Sequence, residues 1–214
     1  MVNPPSSGPI AFEKLRRVTC SRNPAAERCE LCSAELGPLH CHLLAPQTRA
    51  IVCSCDACAV LFTMQQGQSY RRIPRSIRFL SGFVLSDAQW ESLNIPINLA
   101  FFCSTGTPPR PTAFYPSPAG SVESLLDLES WNEIADKNPV LFKMEDEVEA
   151  LLINRTTSPH GHYLVPIDEC YRLVGLIRAQ WRGFSGGKDM WQSIANFFVS
   201  LKERAVPSRE GSHA

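Results

Sequence analysis

The sequence predicts an α+β protein in two parts. A small cysteine-rich module at residues 26–70 is followed by an α+β domain at 71–205, with a mixed or antiparallel sheet and a C-terminal helical pair. Three observations carry this. Two Cys-x-x-Cys pairs, Cys29/Cys32 and Cys55/Cys58, flank a short hairpin pattern. Beyond Arg75, strand-like and helix-like apolar runs alternate without a repeat. The last stretch carries two amphipathic helical patterns separated by glycines.

Composition sets the bounds. Of 214 residues, 44% are apolar and 20% charged, which supports a folded chain with a proper core. The formal net charge is zero, so no global field draws the chain to nucleic acid or membrane. Through Arg75 there are nine Lys+Arg and five Asp+Glu; from Ser76 onward there are twelve and sixteen, a shift that fits two units. Met1–Ile10 lacks the basic-then-apolar pattern of a secretory signal. The best apolar run, Ile97–Cys103, is strand-sized. Nine cysteines, seven of them between Cys20 and Cys58, then read as reduced thiols in a cytoplasmic metal-binding protein.

Taken in order, residues 1–25 are expected to form a flexible arm, with a short helix over 11–23 that places Phe12, Leu15 and Val18 on one face. Asn23-Pro24 breaks it. Cys29–Cys32 then reads as a knuckle whose backbone amides point at sulfur. Strands are expected over 39–44 and 50–53, joined across Pro46-Gln47-Thr48. The second pair runs into Ala59–Met64, predicted as a helix carrying Cys55 and Cys58 in its first turn. Knuckle, hairpin and helix in that order make a treble clef; a zinc ribbon, with a strand replacing the helix, is the alternative.

Gln65–Tyr70 is polar, and Arg71, Arg72 and Arg75 surround Pro74, so the domain boundary is placed there. Ile77, Phe79 and Phe83 suggest a strand, and Ser86–Gln89 a capping box opening a helix with Trp90 and Leu93. Strands are expected over 97–103 and 112–115 around a turn rich in Gly106, Pro108, Pro109 and Pro111. Pro116–Gly120 reads as a sharp loop, and Trp131, Ile134 and Ala135 as a helix ended before Pro139. Further strands, 148–153 and 163–165, flank a polar turn at 156–161. Asp168 is the expected N-cap of a helix carrying Cys170, Tyr171, Val174, Ile177 and Trp181. After Gly183, Gly186 and Gly187 a second helix carries Met190, Trp191, Ile194, Phe198 and Leu201; residues 206–214 are expected to be a disordered tail.

The chemistry concentrates in the module. Cys29, Cys32, Cys55 and Cys58 are the expected ligands of a structural Zn²⁺, since two two-residue spacers brought together supply a tetrahedral four-sulfur shell; 22 residues separate Cys32 from Cys55. The same thiols suit a rubredoxin-like iron or an iron–sulfur cluster, a reading that the extra Cys41 and Cys53 keep open. His40 and His42 alternate along a strand and face one side. They read as substitute ligands, as lining for a second metal site, or as hydrogen-bond partners of the sulfurs; Cys53 is the leading substitute. The ligand order also resembles the treble-clef metal-dependent nucleases, but Cys41 precedes His42 and Ala59 follows Cys58 where their catalytic residues belong.

In the second part, Pro116–Gly120 with the following Ser121–Ser124 is the best binding-loop candidate, with a tight structural turn as its alternative. No phosphate-cradling glycine motif and no nucleophile motif is present. His160 and His162 read as part of a solvated turn, Glu145–Glu147 with Glu149 as a solvated charged edge, and Trp181–Phe184 as helix-pair core rather than partner surface.

From Arg28 onward the chain resembles a bacterial family of unknown function whose genes tend to lie beside those for uptake nickel–iron hydrogenases. The resemblance rests on Cys29-x-x-Cys32, His40-x-His42-Leu43 and Cys53-x-Cys55-x-x-Cys58. It continues through Ala88–Trp90, Ile95-Pro96, Ala113–Gly120, Glu123–Leu126, Asn138-Pro139, Val148–Leu151, Leu164–Asp168, Cys170-Tyr171 and Trp181–Phe184. It implies an association with hydrogenase assembly or operation through a protein partner, a hydrogenase subunit or maturation factor. It implies no reaction. The expected function is therefore that of a non-enzymatic, zinc-stabilised accessory protein that binds neither nucleic acid nor membrane.

Overall fold

The computed structural model describes residues 27–64, 70–124, 126–183 and 186–207. The N-terminal arm with its expected helix, residues 65–69, Leu125, Phe184 and most of the tail lie outside the described residues.

Within the module, strands β1 (Cys41–Ala45) and β2 (Ala50–Ser54) form an antiparallel hairpin that runs directly into helix α1 (Asp56–Thr63). Strand β3 (Arg71–Arg72) pairs with the free edge of β1, giving the sheet order β2-β1-β3. The strands alternate sides, so Cys41 and Leu43 face the module's own small core with Ala59. Leu44, from the same strand, enters the main core of the molecule instead.

The remaining strands are β4 (Arg78–Phe79), β5 (Leu99–Thr105), β6 (Arg110–Ser117), β7 (Gly120–Ser124), β8 (Glu149–Asn154), β9 (Gly161–Pro166) and β10 (Val206–Pro207). They make one seven-stranded sheet of order β10-β4-β9-β8-β5-β6-β7, antiparallel except at the β10–β4 edge. Helices α2 (Asp87–Ser92) and α3 (Leu128–Lys137) cover one face; α4 (Ile167–Gln180) and α5 (Lys188–Arg204) cover the other. The central strands show why both faces are dry. In β5, Phe101 and Cys103 pack under α4 and α5, whereas Ala100 and Phe102 pack against Trp131 and Ile134. Burying a Phe of this kind contributes about 1.5–3 kcal/mol, so the pair Phe101/Phe102 pins the sheet between its two helical layers.

Several expectations change against the structure. The strand around Ile77 is only two residues long; Phe83 lies beyond it in a turn and stacks on His162 with ring centroids 4.8 Å apart. Pro116 and Ser117 belong to β6 and Gly120 to β7, so the expected loop shrinks to Pro118-Ala119 at a hairpin tip. Gly120 sits at φ +126°, a conformation that disfavours any side chain. Asp168 is not an N-cap. Strand β9 turns straight into α4 through Pro166, which leaves Asp168 inside the first helical turn with its side chain directed elsewhere. Glu149 is not solvated: it lies in β8, 3% exposed, and is paired with Arg78 at 3.2 Å because the sheet buries that position. Val206 and Pro207, expected to fray, pair in parallel with β4.

Two features give measurable expectations. Asn138, 4% exposed, caps the junction after α3: its Oδ1 accepts from the Val84 N–H at 2.8 Å, and its Nδ2 donates to the carbonyls of Val84 at 2.9 Å and Ile134 at 2.8 Å. Asn138→Ala should lower stability by about 1–3 kcal/mol, read as a lower urea midpoint at unchanged slope. His162 lies on β9, half-buried against Phe83, rather than in a solvated turn. Its Nε2 has no partner, and burial, with His160 and Arg155 adding to it, holds its pKa down to about 4 from 6.5. The unfolded chain thus takes up a proton below about 6.5 that the folded chain refuses, so stability falls as pH drops through that window. His162→Phe should flatten the fall in Tm between about pH 6.5 and 4.

Candidate metal centre

The first cysteine pair is shaped by a tight turn. Cys29 N–H donates to the Ala34 carbonyl at 2.8 Å and Ser33 N–H to the Cys29 carbonyl at 2.7 Å, while Ser33 adopts φ 64° to close the loop. The turn is tied to the hairpin: Glu30 N–H donates to the Cys53 carbonyl at 2.9 Å, and Cys53 N–H returns a bond to Glu30 Oε1 at 2.8 Å. The second pair sits where β2 becomes α1. Cys55 is the N-cap, its sulfur accepting from Cys58 N–H at 3.5 Å, and Cys58 follows in the first turn. Amides at a helix start favour negative charge on a sulfur placed against them, and the Cys55 amide bonds the Cys29 sulfur.

The structure brings all four sulfurs together. Those of Cys29, Cys32, Cys55 and Cys58 lie within 4.8 Å of one another, and the Cys32–Cys55 separation is 3.7 Å. A tetrahedron of zinc–sulfur bonds of about 2.3 Å has edges of about 3.8 Å. The cluster therefore matches the size of a four-thiolate shell. The electrostatics divide the four. Burial raises the Cys29 thiol, but hydrogen bonds from the backbone of Cys55, Leu31 and Cys32 outweigh it and bring the pKa to about 6. Burial and the neighbouring thiols push Cys58 up to about 12. Cys29 thus gives up its proton far more readily than Cys58, and a dication entering the cluster displaces the thiol protons that remain.

Beside this cluster, His40, His42 and Cys53 form a second group whose donor atoms also lie within 4.8 Å of one another. His42 and Cys53 are cross-strand partners in the β1–β2 hairpin. Neither histidine joins the four-sulfur group. Instead, His42 Nδ1 meets Asp168 Oδ2 at 2.6 Å, and the Asp168 hydrogen bond, acting against burial, raises the His42 pKa. Asp168, expected from the sequence to be an N-cap, is instead the partner of His42. It lies 126 positions from His42, and no local pattern joins them. Cys41 faces the opposite side of β1: its thiol donates to Asp56 Oδ1 at 3.0 Å, and Arg72 and Arg75 lie against the sulfur.

The other candidate residues fall elsewhere. His160 is exposed, with Nδ1 on the Thr157 carbonyl at 2.9 Å. Pro116, Ser117 and Pro118, at the end of β6 and its hairpin tip, line an apolar groove of about 550 Å³ together with half-buried Trp181, Tyr115 and Met190. Trp181 Nε1 donates to the Gly183 carbonyl at 2.8 Å, which holds its ring in place. Among the described residues no helix is long and apolar enough to cross a membrane.

A search of the curated proteins and a search of the solved structures each found no match. A scan against protein families matches residues 28–205, which span the cysteine clusters and the whole seven-stranded sheet apart from its β10 edge. The chain therefore belongs to the Family of unknown function (DUF5947).

Proposed function

We propose that this protein is a zinc-stabilised accessory or adaptor protein. The observation that carries the reading is the fit of four sulfurs from two separate turns to one tetrahedral ion. Cys29, Cys32, Cys55 and Cys58 would hold Zn²⁺ in a turn–hairpin–helix arrangement of treble-clef type. All four positions are filled by protein, so the ion would serve as a structural cross-link rather than a reaction centre. Residues 26–70 then act as a rigid module, and the α+β part, residues 71–205, offers the recognition surface. Its groove between the β6–β7 hairpin and helices α4 and α5 is the concave apolar surface that such a role would use. The sequence resemblance makes a nickel–iron hydrogenase the expected client, in maturation or in partner docking within the cytoplasm.

Purified anaerobically, the full chain should be colourless and hold zinc. Cys55→Ser should release one tightly held equivalent and lower Tm, as read by elemental analysis and calorimetry. A brown or red protein with stoichiometric iron would instead select an iron-binding redox role for the same thiols. For the client, hydrogenase subunits should co-purify with the tagged protein, and deleting its gene should lower hydrogenase activity. An unchanged activity after deletion rejects that assignment.

A further inference from the structure

The second donor group has an electrostatic peculiarity. His42 Nδ1 faces the Asp168 carboxylate at 2.6 Å, and His40 Nδ1 faces the Gly37 carbonyl at 3.0 Å and Glu27 Oε2 at 3.4 Å. Carbonyl and carboxylate oxygens only accept, so each Nδ1 carries the ring hydrogen. With both rings neutral, both Nε2 atoms are then lone-pair acceptors, and they face each other across 3.1 Å. Two acceptors at that distance repel unless a positive centre lies between them. An ion about 2.05 Å from each nitrogen would see them at an angle of roughly 100°, inside the range of a distorted tetrahedron. The Cys53 sulfur completes a three-atom face within 4.8 Å.

We propose that His40, His42 and Cys53 form a second metal site, separate from the four-thiolate cluster, for an exchangeable divalent first-row transition ion. Two imidazoles and one thiolate suit zinc, cobalt or nickel and disfavour the hard ions magnesium and calcium. Binding deprotonates Cys53, its proton passing to solvent as the metal–sulfur bond forms. Asp168 is a positioning residue: its carboxylate holds the Nδ1–H of His42, as carboxylates do behind metal-bound histidines, and the Gly37 carbonyl does the same for His40. Glu27 lies against His40, and the Glu30 carboxylate accepts from the Cys53 N–H, so two carboxylates lie beside the donor group. Three protein ligands leave the fourth position open, and the His42 side chain is 33% exposed, which gives an ion a way in and out. The four-thiolate cluster fills all four coordination positions with protein sulfur and leaves none open.

The test titrates Co²⁺ into the full-length protein after a mild chelator has removed loosely held metal and left the four-thiolate zinc in place. The expected result is one bound cobalt per chain with a thiolate-to-cobalt absorption band. His42→Ala and His40→Ala should abolish that equivalent at unchanged four-thiolate zinc content, and Cys53→Ser should lose the band. Asp168→Asn should weaken cobalt binding about 10–100-fold, and Asp168→Glu should restore it. If the wild-type chain binds no cobalt, the facing nitrogens share only a proton and the proposal fails. It fails equally if His42→Ala binds cobalt like wild type. The zinc loss in Cys55→Ser is read separately, so the two sites stand or fall independently.

Discussion

Four sulfurs confined within 4.8 Å of one another are the constraint around which the first part of the fold is arranged. Without an ion between them, thiolates this close would repel one another strongly. The local backbone answers this in two ways. The first turn and the start of α1 each aim amides at sulfur, and the two Glu30–Cys53 hydrogen bonds, one through the Glu30 carboxylate, clamp that turn to strand β2. A dication held there, as proposed, would complete what the amides begin and fix which way the β1–β2 hairpin points.

That orientation matters because the hairpin is built into the rest of the molecule. Leu44 lies in the same apolar cluster as Phe101, Leu152 and Ile194. Arg71 pairs with Glu147 at 3.2 Å, Ile73 N–H donates to the His42 carbonyl at 3.0 Å, and His42 reaches Asp168 on α4. Helix α4 also carries Ile177 beneath the apolar groove. One rigid rod therefore touches the second donor group near its start and walls the groove near its end.

Parts of this were open to sequence reasoning and parts were not, for physical reasons. The cysteine pairs are legible because a two-residue spacer is a geometric requirement of sharing one ion. Helix α5 is legible because Met190, Ile194, Phe198 and Leu201 repeat at helical spacing. Strands β5 and β8 can be recognised as strands, but their faces cannot be assigned, since a strand dry on both sides shows no alternation. Strand β7, with Gly120, two serines and Glu123, looks like loop; it is a strand because β6 offers it a partner. Glu149 reads as solvent-facing until Arg78 is placed beside it. The His42–Asp168 contact depends on the entire chain path between them, so no window of sequence contains it.

Strand β3 carries one more consequence. Two residues, Arg71 and Arg72, complete the module's sheet, and within a few positions the chain has entered the main sheet at Arg78. A cut anywhere in that span strips an edge from one sheet or a buried side chain, Ile73 or Ile77, from the other. The cysteine-rich piece is thus stitched in rather than strung on. Neither piece could be cut free as a portable unit without opening the other's core.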